Sequence, residues 1–319
     1  MKKSINIIIN ALLILMLVMN VMPPFRVEAN PGSIVTITGQ ITYEPRNFGT
    51  TGTKIAGKEL KIDLYEMDHY NHIYYLNLST YTSPNGVYSF TNVTNYFDQD
   101  DPHLNIFIRV KLDYPETKVD QVGSEDPYYF DSDVELLNND NQPNWILNFD
   151  INHQNKPASY QAVPIFEDIR NAWHFVNTND VRNGTHYDPG SVTAYWTSGT
   201  LCYGGPCASY TGPGYIFISD YNIQSMDTAV HETGHQFMGN AGWWYPWPDC
   251  WGHQLFDSIT AQCAWAEGWA DFFAMAVNGD QCYNFKENPC GGTPDGDSYN
   301  FEIHSRLDDP LQFPWGDTV

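Results

Sequence analysis

Val230-His231-Glu232-Thr233-Gly234-His235-Gln236-Phe237-Met238 is the stretch that decides how the second half of the chain is read. On a helix, residues four apart lie one turn apart on the same face. His231 and His235 can therefore reach one ion, with Glu232 beside them. Val230, Phe237 and Met238 give that helix an apolar side, which argues against a solvated surface pair. Tetrahedral zinc accepts imidazole nitrogen at about 2.0–2.1 Å, and a catalytic site has three protein ligands and one open position. Glu232 is placed to take a proton from water activated there. Gly234 costs the helix about 0.8–1 kcal/mol relative to alanine. Its presence is read as room for a neighbouring element to come close.

The next informative stretch begins at Trp265. Trp265-Ala266-Glu267-Gly268-Trp269-Ala270-Asp271-Phe272-Phe273 predicts an apolar helix carrying two carboxylates one turn apart. Carboxylates among so many apolar side chains are costly unless paired or bound to metal. Glu267 as third ligand completes a His₂Glu set with one position open. Asp271 is then placed to accept the ring N–H of a ligand histidine. His253, with Asp249 near it, is the rival third ligand, but choosing it would leave Glu267 a buried unpaired acid. A metzincin would have Gly at 238 and His at 241, where this chain has Met238 and Ala241.

Together, the two motifs resemble the gluzincin metallopeptidases, the thermolysin-like class, in which His-Glu-x-x-His is joined to Glu-x-x-x-Asp on a following helix. The resemblance implies that His231, His235 and Glu267 hold zinc and that Glu232 is the catalytic base. It also implies that Asp271 orients His231. The spacer between the two motifs is longer here than in thermolysin itself. Enzymes of this class also use a His or Tyr donor at the developing oxyanion. His304 is the first candidate for that part, with Tyr283 and Tyr299 behind it.

Around these motifs, Ile165, Phe166, Ile169, Ala172, Trp173 and Val176 recur at helical spacing, with Pro164 in the first turn. Residues 192–196 and 215–219 read as strands, and residues 225–238 and 264–278 as helices. Gly239 and Gly279 are expected at left-handed helix ends. All six cysteines (Cys202, Cys207, Cys250, Cys263, Cys282 and Cys290) fall in this half, an even count that reads as disulfides behind an export signal. Nearest-neighbour pairing is the simplest of the connectivities.

Residues 34–151 have a period of two. Val35, Ile37, Ile41 and Tyr43 alternate with polar residues, as do Leu104, Ile106, Ile108, Val110 and Leu112, and Trp145, Leu147, Phe149 and Ile151. Pro84-Asn85-Gly86 marks a turn. Short strands with one apolar face each predict an antiparallel sandwich. Gly39-Gln40-Ile41, Ala56-Gly57 before residues 60–65, and Gly86-Val87-Tyr88-Ser89-Phe90 resemble the transthyretin-like modules attached to secreted carboxypeptidases. Asp98, Asp100 and Asp101, or Asp131 and Asp133, have the chemistry to bind Ca2+, with a solvated loop as the plainer reading.

The charge balance, 15 Lys+Arg against 38 Asp+Glu and a net −23, argues against nucleic acid or an anionic membrane as partner. Lys2 and Lys3 ahead of an apolar stretch, with Val27-Glu28-Ala29 following, predict a cleaved signal peptide at residues 1–29. The expected fold is α+β: an N-terminal all-β sandwich at 34–151, then a zincin-type α+β peptidase domain at 158–319. The expected function is that of a secreted Zn2+-dependent peptidase acting on protein or peptide substrates, with no stable membrane insertion after signal cleavage. A surface binding protein that keeps the fold without turnover is the rival, and Glu at 232 counts against it. Few residues follow Gly279, and none has a clear helical period, so the natural product is expected to continue beyond Val319.

Overall fold

The computed structural model describes residues 32–46, 53–97, 102–139, 141–179, 181–182, 184–200, 209–242, 260–279, 282–284 and 298–300. Its first half is two five-stranded sheets. One is centred on Ser33–Tyr43, which pairs antiparallel with Val87–Asn95 and with Ile55–Ala56. The other sets Lys61–Met67 between Ile73–Tyr81 and Asn105–Lys111, with Tyr129–Asp131 and Glu135–Leu136 also on Asn105–Lys111. The alternation has its expected cause. Val35, Ile37, Ile41 and Tyr43, and the run Leu104, Ile106, Ile108, Val110 and Leu112, are buried, while Ile34 is left exposed. At the turn before Val87–Asn95, Gly86 takes φ 73° and donates its N–H to the Ser83 carbonyl at 2.8 Å.

Two features depart from an antiparallel sandwich. Asn144–Ile146 and Phe149–Ile151 run parallel to Ser33–Tyr43, so that sheet is mixed. The chain reaches them through a long excursion and not a hairpin, which permits the parallel sense. The excursion is the second departure. Thr117–Gln121 leaves the sandwich and pairs in parallel with Val192–Trp196, in register from Val192↔Thr117 to Trp196↔Gln121. It lies inside a third five-stranded sheet, ordered Tyr210–Gly212, Tyr215–Phe217, Val192–Trp196, Thr117–Gln121, Asp113–Tyr114. Periodicity reports that a residue run is a strand and which face is apolar. It does not report which sheet the strand joins.

Two helices pack on this third sheet, α1 (Ala162–Asn179) and α2 (Thr228–Asn240), and α3 (Ala261–Asn278) packs against both of them. α1 packs on Thr117–Gln121 and Val192–Trp196, and also touches α2 and α3. Its apolar face is Val163, Ile165, Phe166, Ile169 and Ala172, and those side chains join one core with the sandwich. The junction also carries buried charge. Arg46 pairs with Asp168 and donates Nε to the Ile223 carbonyl at 2.8 Å. Arg170 pairs with Glu167 at 2.6 Å and donates to the Lys58 carbonyl. Burial pushes the Asp168 carboxyl up to about 7 even against the Arg46 charge. The fold class is α+β, with more strand than helix.

Candidate metal centre

α2 and α3 run antiparallel. Asn278 Nδ2, at the end of α3, donates to Asp227 Oδ1 at 2.6 Å, just before α2 begins. Thr260 caps α3 by accepting from the Cys263 N–H at 3.2 Å, and Gly279 closes it in the left-handed conformation at φ 64°. The expected left-handed end at Gly239 is corrected. α2 continues through Asn240, and Gly242 takes positive φ instead. Gly234 faces α3. A Cβ built there would lie 2.9 Å from Phe273 Cδ1 and 3.3 Å from Trp269 Cζ3. The helices are therefore closer than an alanine would allow.

That approach brings the sequence-predicted ligands together. His231 Nε2 lies 3.0 Å from His235 Nε2, and each lies 3.1 Å from Glu267 Oε2. Among the described residues this is the one cluster of three or more such side chains able to hold a metal ion. An ion bound tetrahedrally at about 2.0–2.1 Å would set its ligand atoms roughly 3.3 Å apart, close to this triangle. The donor set therefore fits zinc. His231 donates its other ring nitrogen, Nδ1, to Asp271 Oδ1 at 2.9 Å, which fixes Nε2 as the ligand atom. Burial would lower the His231 imidazole, but the hydrogen bonds and charges of Asp271 and Glu267 together raise it well above the ordinary value. The pocket favours positive charge.

Glu232 is buried beside this triangle, and Thr211 Oγ1 donates to its Oε2 at 2.7 Å. Burial raises its carboxyl, opposed by the charges of His231 and His235. Sequence reasoning missed Thr211. Its signal was Gly212-Pro213-Gly214, a turn that makes Tyr210–Gly212 the hairpin partner of Tyr215–Phe217 and carries it to the Glu232 side of α2.

The other predicted residues fare differently. Tyr283 is buried, its ring centroid 5.7 Å from that of His231, edge-on, and its hydroxyl bonds Thr228. It packs against a predicted ligand, beside the site at which an oxyanion donor was expected. His304, His253, Asp98, Asp100 and Asp101 lie outside the described residues. The Tyr299 backbone pairs with Tyr283 in a short hairpin. Asp131 is held by Arg109 in a two-point contact at 2.7 and 2.8 Å, so the calcium reading is corrected there. Cys263 and Cys282 each take part in a disulfide.

Residues 178–319 match the Mycolysin C-terminal domain. That is a domain of thermolysin-like peptidases, and the match includes α2 and α3. No curated protein matches the chain in sequence. Among solved structures, a 9R-lipoxygenase from Cyanothece PCC8801 is similar over 45% of this chain and 23% of its own length, at 11% identity and TM-score 0.23. The major plantain pollen allergen Pla l 1 is similar over 37% of this chain and 94% of its own, at 13% identity and TM-score 0.24. A putative carbohydrate binding protein from Pseudomonas aeruginosa is similar over 40% and 98%, at 13% identity and TM-score 0.20. Likenesses this slight carry no conclusion. Among the described residues no helix is long and apolar enough to cross a membrane.

Proposed function

We propose that this chain is a secreted, zinc-dependent peptidase of the gluzincin type, with a zincin-like domain built on α2 and α3 behind a transthyretin-like module. The observation that carries the reading is the convergence of His231 Nε2, His235 Nε2 and Glu267 Oε2 next to a buried Glu232. The match of residues 178–319 to a mycolysin-type domain supports it further.

His231 and His235 would hold the ion through Nε2 and Glu267 through Oε2, with Asp271 fixing the His231 tautomer. Zinc, when bound, supplies a Lewis acid that polarises a peptide carbonyl and makes water nucleophilic near neutral pH. The Glu232 carboxylate takes the proton from the attacking water and returns it to the leaving amine. Its burial excludes competing solvent, and the imidazoles favour its charged form. His304, which lies outside the described residues, is the proposed oxyanion donor, with Tyr283, buried against His231, as the alternative.

The test uses the purified protein with zinc, incubated with casein and a peptide library. Glu232→Gln should keep zinc at one equivalent and lose nearly all turnover, because it removes the base and no ligand. A wild-type protein that binds zinc but cleaves nothing would favour a binding role for the same fold.

A further inference from the structure

Thr211 touches Glu232 at two atoms. Its Oγ1 is 2.7 Å from Glu232 Oε2 and 2.8 Å from the Glu232 backbone carbonyl oxygen. All three groups are buried, and among the described residues Thr211 alone hydrogen-bonds this carboxylate. Thr211 belongs to Tyr210–Gly212, the outermost strand of the sheet beneath α2. The hydroxyl has one proton, shared between these two acceptors, and it links Glu232 to an element that is part of neither α2 nor α3.

We propose that Thr211 is the positioning residue of the general base, holding Oε2 so that Oε1 alone is presented to the water that attacks the substrate. The inference rests on the peptidase reading and adds to it. A carboxylate side chain has three torsions, and a buried one with no partner would sample several rotamers. Misplacing a reacting group by about 1 Å costs on the order of 100-fold in rate. A hydroxyl fixed by strand pairing removes that freedom without touching the metal. Tyr210–Gly212 is held in register by Tyr215–Phe217, from Tyr210↔Phe217 to Gly212↔Tyr215, so the clamp is as rigid as the sheet.

Two measurements on the full chain test this. The first compares zinc affinity, kcat and KM for wild type, Thr211→Val and Thr211→Ser. Valine keeps the shape and deletes the hydroxyl, while serine restores it. The expected result for valine is unchanged zinc affinity and KM with kcat lower by about 100-fold, and recovery of most of that loss in serine. Unchanged kcat in the valine variant overturns the proposal. So does a kcat loss that tracks zinc affinity, or failure of serine to rescue. The second is a crystal structure of metal-free wild type and of metal-free Thr211→Val. Glu232 should occupy one rotamer in the first and several in the second. The same single rotamer in both overturns the clamp. If wild type shows no turnover at all, the peptidase reading fails, and the rotamer comparison still decides the role of Thr211.

Discussion

Replacing Gly234 by alanine sets two known effects against each other. Helix propensity alone favours alanine by about 0.8–1 kcal/mol. The added methyl would sit 2.9 Å from Phe273 Cδ1 and 3.3 Å from Trp269 Cζ3, both ring atoms on α3. Carbon atoms pack at about 3.5–4.0 Å, so the helices must part by roughly 0.6–1 Å. Phe273 cannot simply swing away, because it also packs against Phe175 and Phe237 and lies face to face with Trp269 at 5.2 Å. Overpacking of this kind costs about 1–3 kcal/mol. Set against the propensity gain, the variant should be less stable by about 1 kcal/mol, a Tm lower by about 2–4 °C. The displacement falls between His235 and Glu267, which supply two corners of the proposed ligand triangle. Zinc should bind at least about tenfold more weakly, as when a ligand loses its support. Thermal melts of the metal-free protein and competition with a fluorescent chelator measure both quantities. Adding Phe273→Leu should recover part of each loss. A Gly234→Ala protein that melts higher and binds zinc as tightly as wild type would refute the close-approach account.

Other consequences follow from the same contacts. Asp271→Asn should keep the fold and weaken zinc binding by about 10–100-fold, measured by the same competition. Arg46→Met should destabilise the protein by about 3–5 kcal/mol at pH 8, with Arg46→Met/Asp168→Leu recovering much of it in denaturant unfolding. The loss should shrink at pH 6. The Asp168 carboxyl is raised to about 7 in the folded protein, so it binds a proton there and no longer needs its partner. Because that value is raised above the unfolded one, Asp168 disfavours folding increasingly as pH climbs from about 4 to about 7. Residues 158–319 expressed alone should fail to fold, since they lack Thr117–Gln121, the parallel neighbour of Val192–Trp196. A sharp, cooperative melt of that fragment would contradict the shared sheet.

What was legible in the sequence was local. Helical spacing identified α1, α2 and α3 within a few residues, because their apolar faces are regular and because Gly279 marks the end of α3, whereas the Thr260 cap went unread. The His231–His235–Glu267 cluster was legible because His231 and His235 share a face and because Glu267 and Asp271 are acids on an apolar helix. The partners that come from other elements were not. Thr211, Asn278 and the Arg46–Asp168 pair act across tertiary contacts with no periodic signal of their own. The departure of Thr117–Gln121 from the sandwich was hidden for the same reason. Strand alternation is identical whichever sheet a strand joins.

His231, His235 and Glu267 are the proposed ligands of a catalytic zinc. The most direct measurement is a crystal structure of the zinc-loaded protein with anomalous data at the zinc edge. One peak should appear within about 2.0–2.1 Å of both Nε2 atoms and a Glu267 oxygen, with one further position open. A peak bound by His253 in place of Glu267, a closed four-ligand shell, or no peak at this site would contradict that assignment.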